Sequence, residues 1–412
     1  MFNIIRIGHN TIKIVFINTI LINQGGFFMK KIIICLLASI LITCSIASDT
    51  DTTRARGLSN AFVGLANDEG ALFYNPAGLS FVDSEFYNNE KDIKKILDGP
   101  KNHMNASIDF LFNKGYYGAL EYIGENNSVG PEMRQFNTGL ERKAYSKRAM
   151  NFSLYSQNTG LTFFAVENVE HSFRASNIVS NKDLRFIATI GQSTQLGPIS
   201  VGISGKGVLL SRQHNDLSYG YVTSQGVQSG LDLENIMFSE EHNVSVMNGA
   251  GFAANVGMMT EWNNFRLGVS MENVVATDIE LSAIKGSATQ NLKANEDWAF
   301  QNLMAGISYS NGDLVLSFDL HNLNRPSNEI SYHAGMEKDL INFWILPKLR
   351  IRTGASLSEQ FSGYSLGLAF RVWIAQINLS YIERSLNLDK IADSNMRESR
   401  DQQTNINIEI SF

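Results

Sequence analysis

The chain ends Thr404-Asn405-Ile406-Asn407-Ile408-Glu409-Ile410-Ser411-Phe412, and the alternation in this stretch decides the fold. Successive side chains of an extended strand point to opposite faces. Ile406, Ile408, Ile410 and Phe412 therefore share one face, and Asn405, Asn407, Glu409 and Ser411 the other. The same period recurs upstream. Leu314, Leu316, Phe318 and Leu320 oppose Val315, Ser317 and Asp319, and Tyr364, Leu366, Leu368 and Phe370 oppose Ser365, Gly367 and Ala369. Weaker alternation predicts strands over Met104–Phe112, Tyr116–Ile123, Ala149–Ser156, Leu161–Glu167, Leu184–Gln192, Ile199–Leu210, Val244–Thr260, Phe265–Val275 and Leu303–Tyr309. Glu329–Lys338, Leu349–Leu357 and Trp373–Ile382 complete the set.

Connection length separates two kinds of all-β architecture. Asn113-Lys114, Gln157-Asn158, Trp262-Asn263-Asn264 and Asn311-Gly312 read as tight turns. Between them run long polar stretches at 124–148, 168–183, 211–243, 276–298 and 383–402. Short turns on one rim and long loops on the other predict an antiparallel outer-membrane β-barrel with both chain ends on the short-turn, periplasmic side. With a first strand near Phe81–Tyr87 the count is about sixteen, in a range of twelve to sixteen. The terminal Phe412 resembles the signal read by the outer-membrane barrel-assembly machinery.

Composition agrees with this reading. Of 412 residues, 44% are hydrophobic and 18% charged, and Phe 25, Tyr 13 and Gly 33 against Pro 6 suit many strands joined by tight turns. No repeated apolar run of about 20 residues marks a helical membrane protein. Residues 1–48 contain Arg6, Lys13, Lys30 and Lys31 and no acid, so the remainder carries 30 basic against 40 acidic residues. An acidic chain without a basic cluster predicts no nucleic-acid partner.

From Met29 the chain reads MKKIIICLLASILITCSIASDTD. Lys30 and Lys31, the apolar run Ile32 to Leu41 and the small residues Ser45-Ile46-Ala47 have the order of a secretory signal, which assigns 29–48 to a signal peptide. A second Ile-rich stretch precedes this complete signal. Gly25-Gly26 before Met29 can be a translated ribosome-binding site, which makes Met29 the expected start and 1–28 an upstream extension. Leu41-Ile42-Thr43-Cys44 is a loose lipobox with a poor residue before Cys44. Both cysteines, Cys35 and Cys44, lie in this region, so the exported chain has no thiol chemistry.

The exported chain reads as one unit with a distinct beginning, residues 49–80, ahead of a barrel over 81–412. Ala55, Leu58, Phe62 and Leu65 recur at helical spacing and predict a short amphipathic helix. Asn67-Asp68-Glu69-Gly70 and Asn75-Pro76-Ala77-Gly78 read as turns. Gly57-Leu58-Ser59-Asn60-Ala61-Phe62-Val63-Gly64-Leu65-Ala66-Asn67-Asp68, followed by Ala71-Leu72-Phe73-Tyr74-Asn75-Pro76-Ala77-Gly78-Leu79, resembles the N-terminal signature of the long-chain fatty-acid transporter (FadL) superfamily and of the related PorV-type proteins. The resemblance implies a barrel of about fourteen strands, wide enough to need an internal plug. It further implies that residues 49–80 form a hatch, with Asn75, Pro76, Ala77 and Gly78 near the path of a ligand that enters from outside and leaves through the wall. A structural role for these residues, seating the first strand, is the alternative.

Strand alternation places Arg266, Arg350 and Arg352 on the lumen face. They form either a lining that receives a carboxylate head group or one side of salt bridges to lumen acids such as Asp319. Pro198 and Pro347 fall at strand starts or turns. The histidines are scattered, no metal-ligand spacing occurs, and no phosphate loop, nucleophile elbow or carboxylate pair stands out. No catalytic residue, metal or cofactor is expected. The expected activity is passive outer-membrane transport of hydrophobic or amphipathic small molecules such as long-chain fatty acids, with membrane lipid as surroundings. A PorV-like scaffold for secreted protein cargo is the alternative, and the mostly polar inward residues Asp109, Ser153, Asp319, Arg350, Ser365 and Asn378 weigh toward it.

Overall fold

The computed structural model describes residues 6–7, 10–11, 52–82, 102–113, 142–173, 177–218, 221, 230–239, 244–285, 292–293, 301–341, 348–359, 361–372, 374–386 and 400–411. Met1–Cys44 forms a unit of its own, in which Arg6–Ile7 pairs antiparallel with Asn10–Thr11. The signal peptide, both cysteines, Phe412, Pro347, Lys114 and the strand expected over Tyr116–Ile123 lie outside the described residues.

Fourteen antiparallel strands close into a barrel. In chain order they are β1 (Asn102–Asn113), β2 (Arg142–Ser156), β3 (Thr159–Phe173), β4 (Asn177–Leu196), β5 (Ile199–Ser218), β6 (Ser245–Trp262) and β7 (Phe265–Ala276). Then follow β8 (Asn302–Asn311), β9 (Leu314–His321), β10 (Ser331–Ile341), β11 (Lys348–Leu357), β12 (Phe361–Val372), β13 (Ala375–Leu386) and β14 (Arg400–Ser411). Each strand pairs with its chain neighbours, and β14 pairs with β1 from Gln403↔Asn113 to Ser411↔Asn105, so no edge is left open. Beyond β7 the short strand Glu280–Lys285 continues along β6 past a register shift, and Leu292–Lys293 pairs with it.

The period-two reading holds strand by strand. Ile108, Phe110, Phe186, Ile190, Val256, Met258, Leu267, Val269, Leu316, Phe318, Leu366, Leu368, Ile406 and Ile408 are all exposed on the outer surface, while Ser153, Ser270, Asp319, Ser365, Asn378, Asn405 and Asn407 are buried within. An apolar outer row on strand after strand is the surface of a lipid-embedded barrel. Among the described residues no helix is long and apolar enough to cross a membrane; the strands do so.

Three expectations need correction. Phe81 ends a 3-10 helix, Pro76–Phe81, residues 83–87 lie outside the described residues, and the ring has the fourteen members that the resemblance implies, where the strand count reached sixteen. The polar stretches at 168–173, 177–183 and 211–218 are strand, because β3, β4 and β5 run on to Phe173, from Asn177 and to Ser218. Strand pairing needs only backbone, and above the lipid band nothing requires an apolar outer row. Here a helix, α3 (Gly230–Met237), covers the outward face. Leu233 and Met237 are buried, Asn215 donates to the Met237 carbonyl at 2.5 Å, and Glu234 pairs with Arg148 at 2.6 Å and Lys182 at 2.9 Å. The third correction, to the helix expected over 55–65, concerns the N-terminal segment and follows below.

Tight turns use residues that tolerate a left-handed backbone. Asn158, Asn263 and Gly312 have φ of 75°, 52° and 60°, and Gly197-Pro198 makes the β4–β5 turn with Gly197 at 62°. Replacing Asn158 by Ala is expected to cost about 1 kcal/mol, the strain of a Cβ in that region, while Asn158→Gly costs little. Urea unfolding in detergent reads the difference; equal loss for both variants would place the cost in the Asn158 side chain instead.

Candidate functional site

Residues 52–82 lie inside the ring. The Thr52 side chain caps a single turn, α1 (Thr53–Gly57), by accepting from the Ala55 N–H at 3.2 Å. The expected longer helix stops there: Ser59 and Asn60 take φ of 52° and 66°, which reverses the chain. Ala55, Leu58, Phe62 and Leu65 are nevertheless all buried, so their spacing reported burial and not one continuous helix. Asp68 Oδ1 accepts from the Gly70 N–H at 2.8 Å and the chain enters α2 (Ala71–Tyr74). Phe62 and Tyr74 meet edge to face at 5.4 Å. Asn75 then caps Pro76–Phe81, accepting from the Ala77 N–H at 3.2 Å, with Pro76 at the first position, where no N–H is needed.

The wall facing this segment is built from glycine and serine. Gly160, Gly191, Gly202, Gly257, Gly268, Gly306, Gly335, Gly354 and Gly367 all turn their missing side chain toward it. Four pairs stand directly opposite across neighbouring strands: Gly160↔Gly191, Gly202↔Gly257, Gly268↔Gly306 and Gly335↔Gly354. The approach is of backbone to backbone. A methyl group on Gly202 would sit 2.3 Å from the Pro76 carbonyl carbon, on Gly268 2.5 Å from the Val63 oxygen, and on Gly354 2.5 Å from the Leu58 carbonyl carbon. At Gly160 and Gly191 the near atoms of the segment are the Leu72 and Leu79 side chains, and at Gly257 they are the Asn75 amide and the Pro76 ring. Hydroxyls between the glycines serve the segment's carbonyls: Ser365 donates to Gly57 at 3.0 Å, Ser308 to Gly64 at 2.8 Å, Ser204 to Leu72 at 2.7 Å and Ser200 to Ala77 at 2.9 Å.

The lumen has two unlike halves. On the β3–β6 side, Phe164, Val166, Ile187, Val208, Leu210, Met247 and Met259 join Leu72, Phe73, Leu79 and Phe81 in one apolar cluster, completed by Ile279 and Leu281. Phe73 meets Phe164 edge to face at 5.3 Å. On the β9–β14 side the contacts are ionic and polar. Arg54 reaches Glu337 at 3.0 Å and Asp68 at 2.8 Å, Thr53 donates to Asp109 at 2.9 Å, and the Val63 N–H donates to Asp319 at 2.5 Å. His333 meets the Ser59 carbonyl at 2.6 Å and packs its ring 4.2 Å from that of His321, so two of the scattered histidines come together. Behind the apolar half, on the outer surface, a groove of about 460 Å³ is lined by Leu154, Thr159, Leu161, Ile190, Gln192, Ile203 and Gly205 and floored by Gly160 and Gly191.

The residues singled out in the sequence are placed as follows. Asn75, Pro76, Ala77 and Gly78 are buried against β5, β6 and β7, and Asn75 donates to the carbonyls of Val63 at 3.2 Å and Met258 at 3.1 Å. Arg350 and Arg352 share Glu337, at 3.3 and 2.7 Å, and Arg350 also pairs with Asp339. Their carboxylate is thus on β10 and not Asp319. Arg266 stands apart on β7, fully buried, with Glu261 at 2.7 Å and the Phe81 ring at 4.9 Å. Pro198 sits in a turn and breaks no ladder. Among the described residues no group of three or more His, Cys, Asp or Glu is disposed to hold a metal ion. Sequence reasoning missed Arg54 as the segment's anchor and missed the glycine row. The row was readable: once alternation assigns the inward positions, glycine recurs there strand after strand.

No protein-family model matches the chain, and none of the curated proteins matches it. Solved structures do. The CymD monoaromatic hydrocarbon channel aligns with a TM-score of 0.47 and 12% identity over 89% of this chain and 97% of its own. A TodX monoaromatic hydrocarbon channel mutant lacking S2 and S3 aligns at 0.47 and 15% over 84% and 94%. The toluene transporter TodX of Pseudomonas putida aligns at 0.39 and 14% over 86% and 96%. CymD and TodX are FadL-family outer-membrane barrels, the family whose N-terminal signature residues 54–80 resemble.

Proposed function

We propose that this protein is an outer-membrane channel, and not an enzyme, for hydrophobic or amphipathic small molecules, long-chain fatty acids among them. Residues 49–80 are its hatch, and both chain ends lie in the periplasm. One observation supports this reading above the others: the apolar half of the lumen and the apolar groove on the outer wall are separated, at β3 and β4, by glycine backbone with only the Leu72 and Leu79 side chains behind it. Elsewhere around the hatch the wall meets main chain or, at Gly257, the Pro76 ring and an Asn75 side chain held by three hydrogen bonds. A side chain changes rotamer far faster than a backbone rearranges. An apolar molecule held against Phe164, Val208 and Leu210 therefore meets the least side-chain bulk behind Leu72, and its passage into the groove and the surrounding lipid also requires the β3–β4 ladder to part at Gly160 and Gly191. Transfer of this kind needs contacts favourable enough to enter and weak enough to leave, which aliphatic walls provide.

Leu72→Trp is expected to fill the gap at Gly160 and Gly191 and to lower uptake of oleate and of toluene by at least about tenfold, as overpacking an already filled site does. Leu316→Trp, on the lipid face of β9, serves as the control and leaves uptake unchanged. Cells producing each variant at equal surface level, given labelled oleate or toluene, supply the measurement. Unaltered uptake of both compounds by the Leu72→Trp protein would sink the route, and no uptake of either by the parent protein would sink the function.

A further inference from the structure

We propose that the wall closes around residues 58–78 while the ring is still open, and that the closed barrel neither admits nor releases them. The inference holds whatever molecule the barrel carries.

The glycine row is a recess in the lumen wall, flanked by larger side chains along β6, β10 and β11. Along β10 the inward neighbours of Gly335 are His333 and Glu337; along β11 those of Gly354 are Arg352 and Ser356; along β6 those of Gly257 are Asn255 and Met259. The segment therefore lies in a recess that runs round the interior, and sliding along the barrel axis would drive its backbone into these buried side chains. Around the ring the fit is equally close. Leu58 abuts β10 and β11, Val63 and Gly64 abut β7 and β8, and Pro76 and Ala77 abut β5, each by main-chain atoms within 3 Å of where a Cβ would stand. A close-packed interior gives way by a few tenths of an ångström, not by the width of a chain. Entry through a finished ring would break the strand ladders on several sides at once. Entry before the β14–β1 seam forms requires no such step, since every other strand pair joins neighbours in sequence.

Two measurements on the full chain test this. In the first, urea-unfolded protein carrying Gly202→Leu or Gly257→Leu is refolded into detergent beside the parent and Gly207→Leu, whose site has open space around it. If the ring closes on the segment, the collar variants yield at least about tenfold less SDS-resistant, heat-modifiable barrel, while Gly207→Leu stays within about twofold of the parent. Collar variants that close at the parental yield overturn the proposal, most directly if trypsin then cuts at Arg54 and Arg56, showing the segment left outside. The second measurement needs no collar variant. Ser80 and Ser193 touch through their hydroxyls at 2.8 Å, and residues 45–412 contain no cysteine. In a Cys35→Ser/Cys44→Ser background, Ser80→Cys/Ser193→Cys is refolded and samples are oxidised at intervals. The cross-link should be complete no later than the heat-modifiable band. A cross-link that lags behind the closed barrel shows insertion after closure and overturns the proposal, even if every collar variant fails to fold.

Discussion

Replacing Glu337 by Ala is expected to destabilise the barrel by about 3–5 kcal/mol, the range for removing one partner of a buried ion pair. Glu337 is shared by three guanidiniums: Arg54 from the segment and Arg350 and Arg352 from β11. Asp68 and Asp339 join the cluster through Arg54 and Arg350. Its carboxylate and the Arg352 guanidinium are each only 2% exposed. Water cannot take over when Glu337 is lost, and Arg352 is left charged with Asn378 alone at 3.1 Å. The uncompensated cation, more than the missing attraction, sets the size of the effect. A second substitution makes this checkable: Arg352→Met in the Glu337→Ala background removes the stranded charge and should restore part of the loss. Urea midpoints in one detergent give both values. A loss below about 1 kcal/mol, the range of a surface pair, would mean the cluster is solvated.

Asn75→Ala is the second large effect, expected at about 3 kcal/mol. The side chain is fully buried and does three things at once. Its amide donates to Val63 O, inside the segment, and to Met258 O, on β6, while its oxygen accepts from the Ala77 N–H that opens the 3-10 helix. Truncation strands three main-chain groups, each at about 1–3 kcal/mol before relaxation. Asn75→Asp separates the roles. It keeps the acceptor for Ala77 but turns a carboxylate toward two carbonyl oxygens, so it should fold no better than Asn75→Ala. An Asn75→Asp protein as stable as the parent would show that the cap alone matters. The same residues carry the family-like sequence pattern, and the geometry gives it a physical reason: one amide ties two turns of the segment to the wall.

How much of this was readable beforehand depends on which physical rule governs each stretch. Within the lipid band the environment imposes an apolar outer row, and Leu316, Phe318, Leu366, Leu368, Ile406 and Ile408 declare their face; where the lumen is apolar too, as at Phe164 and Val208, the alternation fades. The same rule puts Arg350 and Arg352 on one face of β11, and both meet Glu337. Alternation says nothing about register, however. Arg352 lies opposite Glu337 only because β10 and β11 pair as they do, and Asp319 was as good a partner on paper. Above the band, where α3 and not lipid covers β3 and β4, polar strands look like loops. In the segment, local propensity yields to fit. Ser59 and Asn60 break a helix that Ala55, Leu58 and Phe62 would support, because Leu58 must turn against Gly335 and Gly354.

The unequal strands also give the barrel a direction in the plane of the membrane. β4 and β5 have 20 residues each and β9 has 8, which at about 3.3 Å per residue are lengths of about 66 and 26 Å. The short side falls just below the hydrocarbon thickness of about 30 Å, and the long side stands as a parapet above it. The strand-built rim is therefore a ramp, low over β8–β12 and high over β4–β6. Seen from the membrane surface the molecule has a front and a back. A solute travelling along the head groups meets the rim at its own level from one side only, and the face it then confronts across the lumen is the inner side of the tall wall, with Asp183, Arg185 and Arg212 set above the apolar cluster.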